Sequence, residues 1–129
     1  MQNNIKIFFS VIIILILGIA AAAFVRKDAI PTGPGKYDAL AQCLKDKGTT
    51  FYGAFWCPHC QATKKLFGSS AKLLPYVECS NPDGNSQTQI CKDKKIAGYP
   101  TWEFADGSRL TGEHSLEELA TKASCDLPK

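Results

Sequence analysis

Beyond its first 25 residues the chain lacks a second long apolar run, and it lacks internal repeats and low-complexity tracts. A membrane enzyme built from several spans is thereby excluded within these residues, as is a repeat array. Charge of one sign is also lacking. The 129 residues carry 15 Lys+Arg against 12 Asp+Glu, and setting aside Lys6, Arg26, Lys27 and Asp28 leaves 12 against 11 over residues 36–129. A net of +1 gives no basic stripe, so a nucleic-acid partner is not expected. With at most about 100 residues outside the apolar run there is room for one small domain and not for two. Cysteine, by contrast, is plentiful. All six (Cys43, Cys57, Cys60, Cys79, Cys91, Cys125) follow the apolar run, a density that points to an oxidising, extracytoplasmic compartment.

The apolar run is Ile7 to Val25, 19 residues without a charge. About 20 such residues at 1.5 Å rise cross a hydrocarbon core of about 30 Å, so residues 1–25 read as a transmembrane anchor. The alternative reading is a signal segment: Lys6 supplies a minimal positive region, and Ala20 to Ala23 offers Ala-x-Ala spacing for a peptidase. In the first case the domain stays membrane-anchored; in the second it is cleaved and secreted. Residues 26–35 hold two prolines and two glycines in ten positions, cannot continue a helix, and read as a linker. The working domain is then 36–129.

Within it, Tyr37, Leu40, Ala41 and Leu44 recur at helical spacing until Gly48, which predicts a helix over Tyr37 to Lys47. Thr49 to Phe55, aromatic and β-branched, predicts a buried strand. A helix should open at Cys57-Pro58, where proline suits the first turn, and reach Phe67. A short turn through Leu74 and a strand over Tyr76 to Cys79 follow. Asn81 to Gly84 is a turn. A helix over Ser86 to Ile96, a strand over Thr101 to Phe104, a hairpin turn at Ala105 to Ser108 and a strand over Arg109 to Thr111 come next. Ser115-Leu116-Glu117-Glu118 is a capping box for a last helix to Ala123. This order predicts an α/β fold with a mixed central sheet of about four strands flanked by helices.

Trp56-Cys57-Pro58-His59-Cys60 places two thiols three residues apart where a strand meets a helix. At a helix N-terminus, unpaired N–H groups and the helix dipole favour a thiolate, and a partly exposed thiolate is the nucleophile of disulfide exchange. Cys57 is therefore the candidate attacking or attacked sulfur and Cys60 the resolving one. His59, when cationic, adds favourable charge beside Cys57. A stabilised thiolate favours the reduced form and makes the pair an electron acceptor, on a scale spanning about 150 mV, or about 7 kcal/mol. No dissociable cofactor is needed.

Phe55-Trp56-Cys57-Pro58-His59-Cys60, with Gly98-Tyr99-Pro100-Thr101-Trp102 about forty residues later, resembles the thioredoxin superfamily. The resemblance implies a thioredoxin fold in which Pro100 is cis and faces the reactive pair, with Tyr99 and Thr101 forming an edge that grips extended substrate chains. Trp56 is expected to border that surface. Pro58-His59 is similar to the dipeptide of periplasmic disulfide oxidases, which implies an oxidant. Phe51 to Gln61, Leu74 to Cys79 and Ser115 to Ala120 look like the thioredoxin-like domain associated with bacterial vitamin K epoxide reductase homologues. That likeness implies exported protein thiols as substrates and a quinone-linked membrane oxidase as partner, supplied by a separate protein. One departure stands out. Thioredoxins carry a buried carboxylate six residues before the first reactive cysteine, and here that position is Phe51. Glu78, Glu103, Lys64 and water are the candidate proton acceptors for Cys60.

Cys79 and Cys91 enclose thirteen residues, and a disulfide between them would contribute about 3 kcal/mol. Cys43 and Cys125 are expected on opposite faces of the sheet, and so as free thiols. A zinc site is not expected, because Cys79 and Cys91 are twelve apart instead of three. His114 and the Lys92 to Lys95 run are expected to be solvated. The leading expectation is an extracytoplasmic oxidant of protein thiols. The alternatives are a membrane-tethered reductant, for instance in cytochrome maturation, and a non-catalytic module that binds extended chains.

Overall fold

The computed structural model describes the backbone of residues 2–25, with side chains over 4–17, and all of residues 33–129. Gln2–Val25 is a helix of 24 residues (α1), and its apolar side chains from Ile5 to Leu17 are exposed, apart from the half-buried Ile12. Among the described residues no helix is long and apolar enough to cross a membrane, so the anchor expected over Ile7 to Val25 is not found there. The end of that run, residues 18–25, lies outside the described side chains. Residues 26–32 of the expected linker lie outside the described residues altogether. Gly35 belongs instead to the second compact unit, which begins at Gly33: its N–H donates to Asp38 Oδ2 at 2.8 Å, and the next amide but one, Tyr37 N–H, donates to Ser70 Oγ at 3.0 Å.

In that unit the elements are α2 (Asp38–Asp46), β1 (Thr50–Gly53), α3 (Pro58–Phe67), a 3₁₀ segment (Gly68–Leu73), β2 (Tyr76–Glu78), α4 (Gln89–Asp93), β3 (Thr101–Glu103), β4 (Arg109–Thr111) and α5 (Leu116–Ala123). The sheet order is β2-β1-β3-β4, with β1 parallel to β2 and antiparallel to β3, and β3 antiparallel to β4. A parallel pair needs a crossover of a dozen or more residues, and α3 with the 3₁₀ segment supplies it. Gly48 at φ +73° and Gly107 at φ +79° turn the chain into β1 and between β3 and β4. The capping box forms at Ser115 and Glu118.

Register places Phe51 beside Trp102 and Tyr76, and on that face lies the main core. Phe51 stacks on Trp102 at 4.4 Å between centroids and meets Tyr76 edge-on at 5.2 Å. Leu40, Ala41 and Leu44 of α2, Cys60 and Phe67 of α3, and Leu116, Leu119 and Ala120 of α5 complete one buried cluster around this pair. Tyr52, Cys79, Cys91 and Ile96 form a smaller cluster. Three helices thus share one cluster, which corrects the expectation for Cys43 and Cys125. The apolar stripe of α2 packs into the same core as that of α5, and the two cysteines are disulfide-bonded with Cα atoms 6.0 Å apart. Cys79 and Cys91 form a second bond. Helix α4 is also shorter than the Ser86 to Ile96 pattern suggests. Gln87 is drawn into a bridge with Ser80, Thr88 takes the extended N-cap conformation, and Lys95 at φ +53° ends the run.

Candidate active site

Cys57 is the N-cap residue of α3 and Pro58 its first helical residue, so the strand-to-helix turn sets both thiols at the start of the helix. They are the free cysteines of the described chain. Both are more enclosed than the sequence suggests: Cys57 is 4% exposed and Cys60 1%. The Cys57 thiol points at the backbone carbonyl of Tyr99, 3.7 Å away. That carbonyl precedes a cis peptide to Pro100, and Pro100 itself is fully buried. The Cys60 thiol is pushed up to about 12 by burial above all, then by its hydrogen bond and charge interaction with Cys57, against the Ala54 backbone and Lys64, which pull the other way. It is therefore protonated through the neutral range.

Around the sulfurs the surface is aromatic. Phe55 and Trp56 are 50% and 48% exposed. Trp56 Nε1 donates to Ser80 Oγ at 2.9 Å, and its ring meets Tyr99 edge-on at 6.1 Å. Tyr99 is fixed in turn by Gln87, whose amide donates to the phenol oxygen at 2.6 Å and to Ile96 O at 2.9 Å. Thr101 departs from expectation. It sits on a central strand paired to both β1 and β4, is 3% exposed, and donates its hydroxyl to Gly98 O at 2.7 Å, so it offers no edge to a substrate. Phe55 takes its place on the accessible rim, and its neighbouring position to Trp56 is the signal that could have found it.

His59 is exposed, and its Nδ1 lies 2.5 Å from Glu113 Oε1. Its partner is thus a carboxylate of the loop before α5, which sequence spacing gave no reason to place here. Of the candidate proton acceptors, Glu103 is engaged elsewhere. It pairs with Lys94 at 2.8 Å and with Arg109, and the Lys94 hydrogen bond first, then Arg109, holds its carboxyl below the usual range. Glu78 accepts from the Phe55 and Ser80 amides and from the Tyr76 hydroxyl, and Lys64 Nζ lies 3.5 Å from the Tyr76 ring centroid. Among the described residues no cluster of His, Cys, Asp and Glu suits a metal ion. A dithiol of this form can accept or donate two electrons by exchanging disulfides through one mixed-disulfide intermediate.

Comparison with known proteins bears on this geometry. The family model described as Thioredoxin matches residues 37–124. Over 87 residues, 64% of the chain, the sequence is 49% identical to "Thiol-disulfide oxidoreductase LTO1" of Arabidopsis thaliana, covering 23% of that protein. Over 71 residues, 51% of the chain, it is 34% identical to "Thioredoxin domain-containing protein 5 homolog" of Drosophila melanogaster, covering 17% of it. The chain therefore spans less than a quarter of the length of either relative.

Proposed function

We propose that this chain, which belongs to the thioredoxin family and carries a thiol-disulfide oxidoreductase domain, works outside the cytoplasm as an oxidant of exported protein thiols. The observation that carries the reading is the site itself: a buried Cys57–Cys60 pair at the start of α3, facing the Tyr99 carbonyl before cis-Pro100. In this reading a substrate thiolate attacks the Cys57 sulfur of the Cys57–Cys60 disulfide, and Cys60 leaves with the electron pair and takes up a proton. A second substrate thiolate then attacks the substrate sulfur of the mixed disulfide and releases Cys57. The substrate acquires the disulfide and the protein is left as the dithiol. His59 tunes the pair from beside it, its ring nitrogen held by Glu113. Trp56, Phe55 and Tyr99 form the surface on which the substrate chain lies, and Pro100 fixes the carbonyl that faces Cys57.

Export is supported by the other four cysteines, all bonded in two disulfides, which reducing compartments disfavour. The uncharged run from Ile7 to Val25 supports delivery to or across a membrane as an export segment. Reoxidation falls to a quinone-linked membrane enzyme of the vitamin K epoxide reductase kind. The reduction potential of Cys57 and Cys60, measured in glutathione buffers with alkylation and mass detection, tests the direction. A value near about −120 to −180 mV is expected for a disulfide donor, and one near about −270 mV would replace the oxidant with a reductant.

A further inference from the structure

Either direction of exchange requires the Cys60 sulfur to gain or lose a proton, and Cys60 is closed off from solvent. The buried carboxylate that thioredoxins place for this purpose is Phe51 here, stacked on Trp102, so the proton must travel another way. Gly53 shows where. A Cβ built on this residue would lie 2.9 Å from Cys60 Sγ, 2.8 Å from Tyr76 Cε2 and 3.4 Å from the Tyr76 hydroxyl. The thiol and the phenol thus flank the same side-chain-free spot on β1, which puts the sulfur and the hydroxyl oxygen no more than about 6 Å apart. The phenol donates to Glu78 Oε2 at 2.7 Å. Tyr76 and Glu78, two residues apart on one strand, present both groups to the same face, and both are half-buried.

We infer that Tyr76 and Glu78 form the proton relay of Cys60, the hydroxyl passing the proton between the thiol and the Glu78 carboxylate and thence to solvent. The ionisable groups facing the hydroxyl are Cys57, Cys60 and Glu78, with Lys64 of α3 over the ring. Burial first, then the hydrogen bond to Glu78, raises the phenol well above its ordinary range, so the tyrosine conducts without ionising. Lys64 favours the Cys60 thiolate while it lasts. In the oxidising direction the Cys57–Cys60 bond breaks as the Cys57–substrate bond forms, and the Cys60 thiolate is protonated along this path. In the reverse direction Cys60 gives up its proton along the same path as it displaces the substrate from Cys57. Tyr76 and Glu78 are positioning residues for that proton and touch no substrate.

The relay rests on the thiol-disulfide reading, and one experiment separates the two. The reduced full chain is mixed with oxidised glutathione, and the mixed disulfide at Cys57 and its resolution by Cys60 are followed between pH 5 and 9 by acid quench, alkylation and mass. Tyr76→Phe, which keeps the ring against Phe51, is expected to slow resolution about tenfold to a hundredfold. Its rate should rise with pH where the parent's does not, while iodoacetamide alkylates Cys57 at the parental rate. Glu78→Gln should do the same, and the double variant should be no slower than the worse single one, as members of one path are non-additive. A Tyr76→Phe chain that resolves at the parental rate with the parental pH profile overturns the relay alone, as do strictly additive effects. A parent chain that forms no mixed disulfide at Cys57 overturns the exchange reading as well.

Discussion

Replacing Cys43 and Cys125 together by serine should destabilise the domain more than any other loss of one covalent link. The two residues are 82 apart in sequence, so the bond closes nearly the whole domain into one loop. In the chain-entropy account such a loop is worth about 4.5 kcal/mol, against about 3 kcal/mol for the short loop between Cys79 and Cys91. With an unfolding entropy of roughly 0.2 kcal/mol/K for a domain of this size, the first loss lowers Tm by about 20 °C and the second by about 15 °C. Cys43 lies on α2 and Cys125 just beyond α5, two helices that share the Phe51–Trp102 core. The effect should therefore be global unfolding and not fraying of one end. The assay is thermal and guanidinium unfolding of Cys43→Ser/Cys125→Ser and Cys79→Ser/Cys91→Ser chains, both with Cys57 and Cys60 also replaced by serine so that no thiol can reshuffle the remaining bond. The larger loop should also raise the denaturant slope, because its unfolded chain exposes more surface once freed. A Tm loss below about 5 °C for the Cys43 and Cys125 pair, or a smaller loss than for Cys79 and Cys91, would refute the reasoning.

Two further outcomes follow from the site. Because the Cys60 thiol stands at about 12 against an ordinary 9.0, the folded chain keeps a proton that the unfolded chain releases between those values. Its contribution to stability is complete below pH 9 and is lost as pH rises toward 12, at no more than about 1.4 kcal/mol per pH unit. Urea unfolding of a Cys57→Ser chain against Cys57→Ser/Cys60→Ser between pH 8 and 11 isolates that slope, and parallel curves would sink it. Gly53→Ala should cost about 1–3 kcal/mol by overpacking, since its Cβ would come within 2.9 Å of Cys60 Sγ and 2.8 Å of the Tyr76 ring. The same displacement should slow resolution of the glutathione mixed disulfide, and a variant with parental stability and rate would show that the two groups do not meet there.

Much of the fold was legible because its boundaries are local. Gly48, Pro75, the Asn81 to Gly84 turn and the Ser115 capping box each stop or start an element by backbone chemistry that a neighbour cannot override. The remaining features depend on which elements pack together. The stripe Leu40, Ala41 and Leu44 announces a helix without saying which core receives it, and so the sequence alone leaves Cys43 unpaired where the structure bonds it to Cys125. Thr101 follows the signature proline, but a strand between two others keeps both its edges for the sheet. Glu113 reaches His59 across 54 residues, a closeness that only the β4 to α5 path creates.

The site divides along the same line. Two thiols three apart at a strand-to-helix junction form a local pattern, and the chain's own numbering displays it. The surroundings of Cys60 do not, because they depend on register. Parallel pairing sets Phe51 beside Tyr76 and Gly53 beside Glu78, and a slip of one residue would turn Tyr76 and Glu78 to the far face of the sheet and bring Val77 toward Cys60. A strand holds its register most firmly where one face is buried, and the Phe51, Trp102 and Tyr76 contacts supply that constraint. The aromatic side chain at Phe51 therefore takes the place of the missing carboxylate in two senses. It fills the core position, and by fixing the register it brings Tyr76 and Glu78 to the sulfur that the carboxylate would have served.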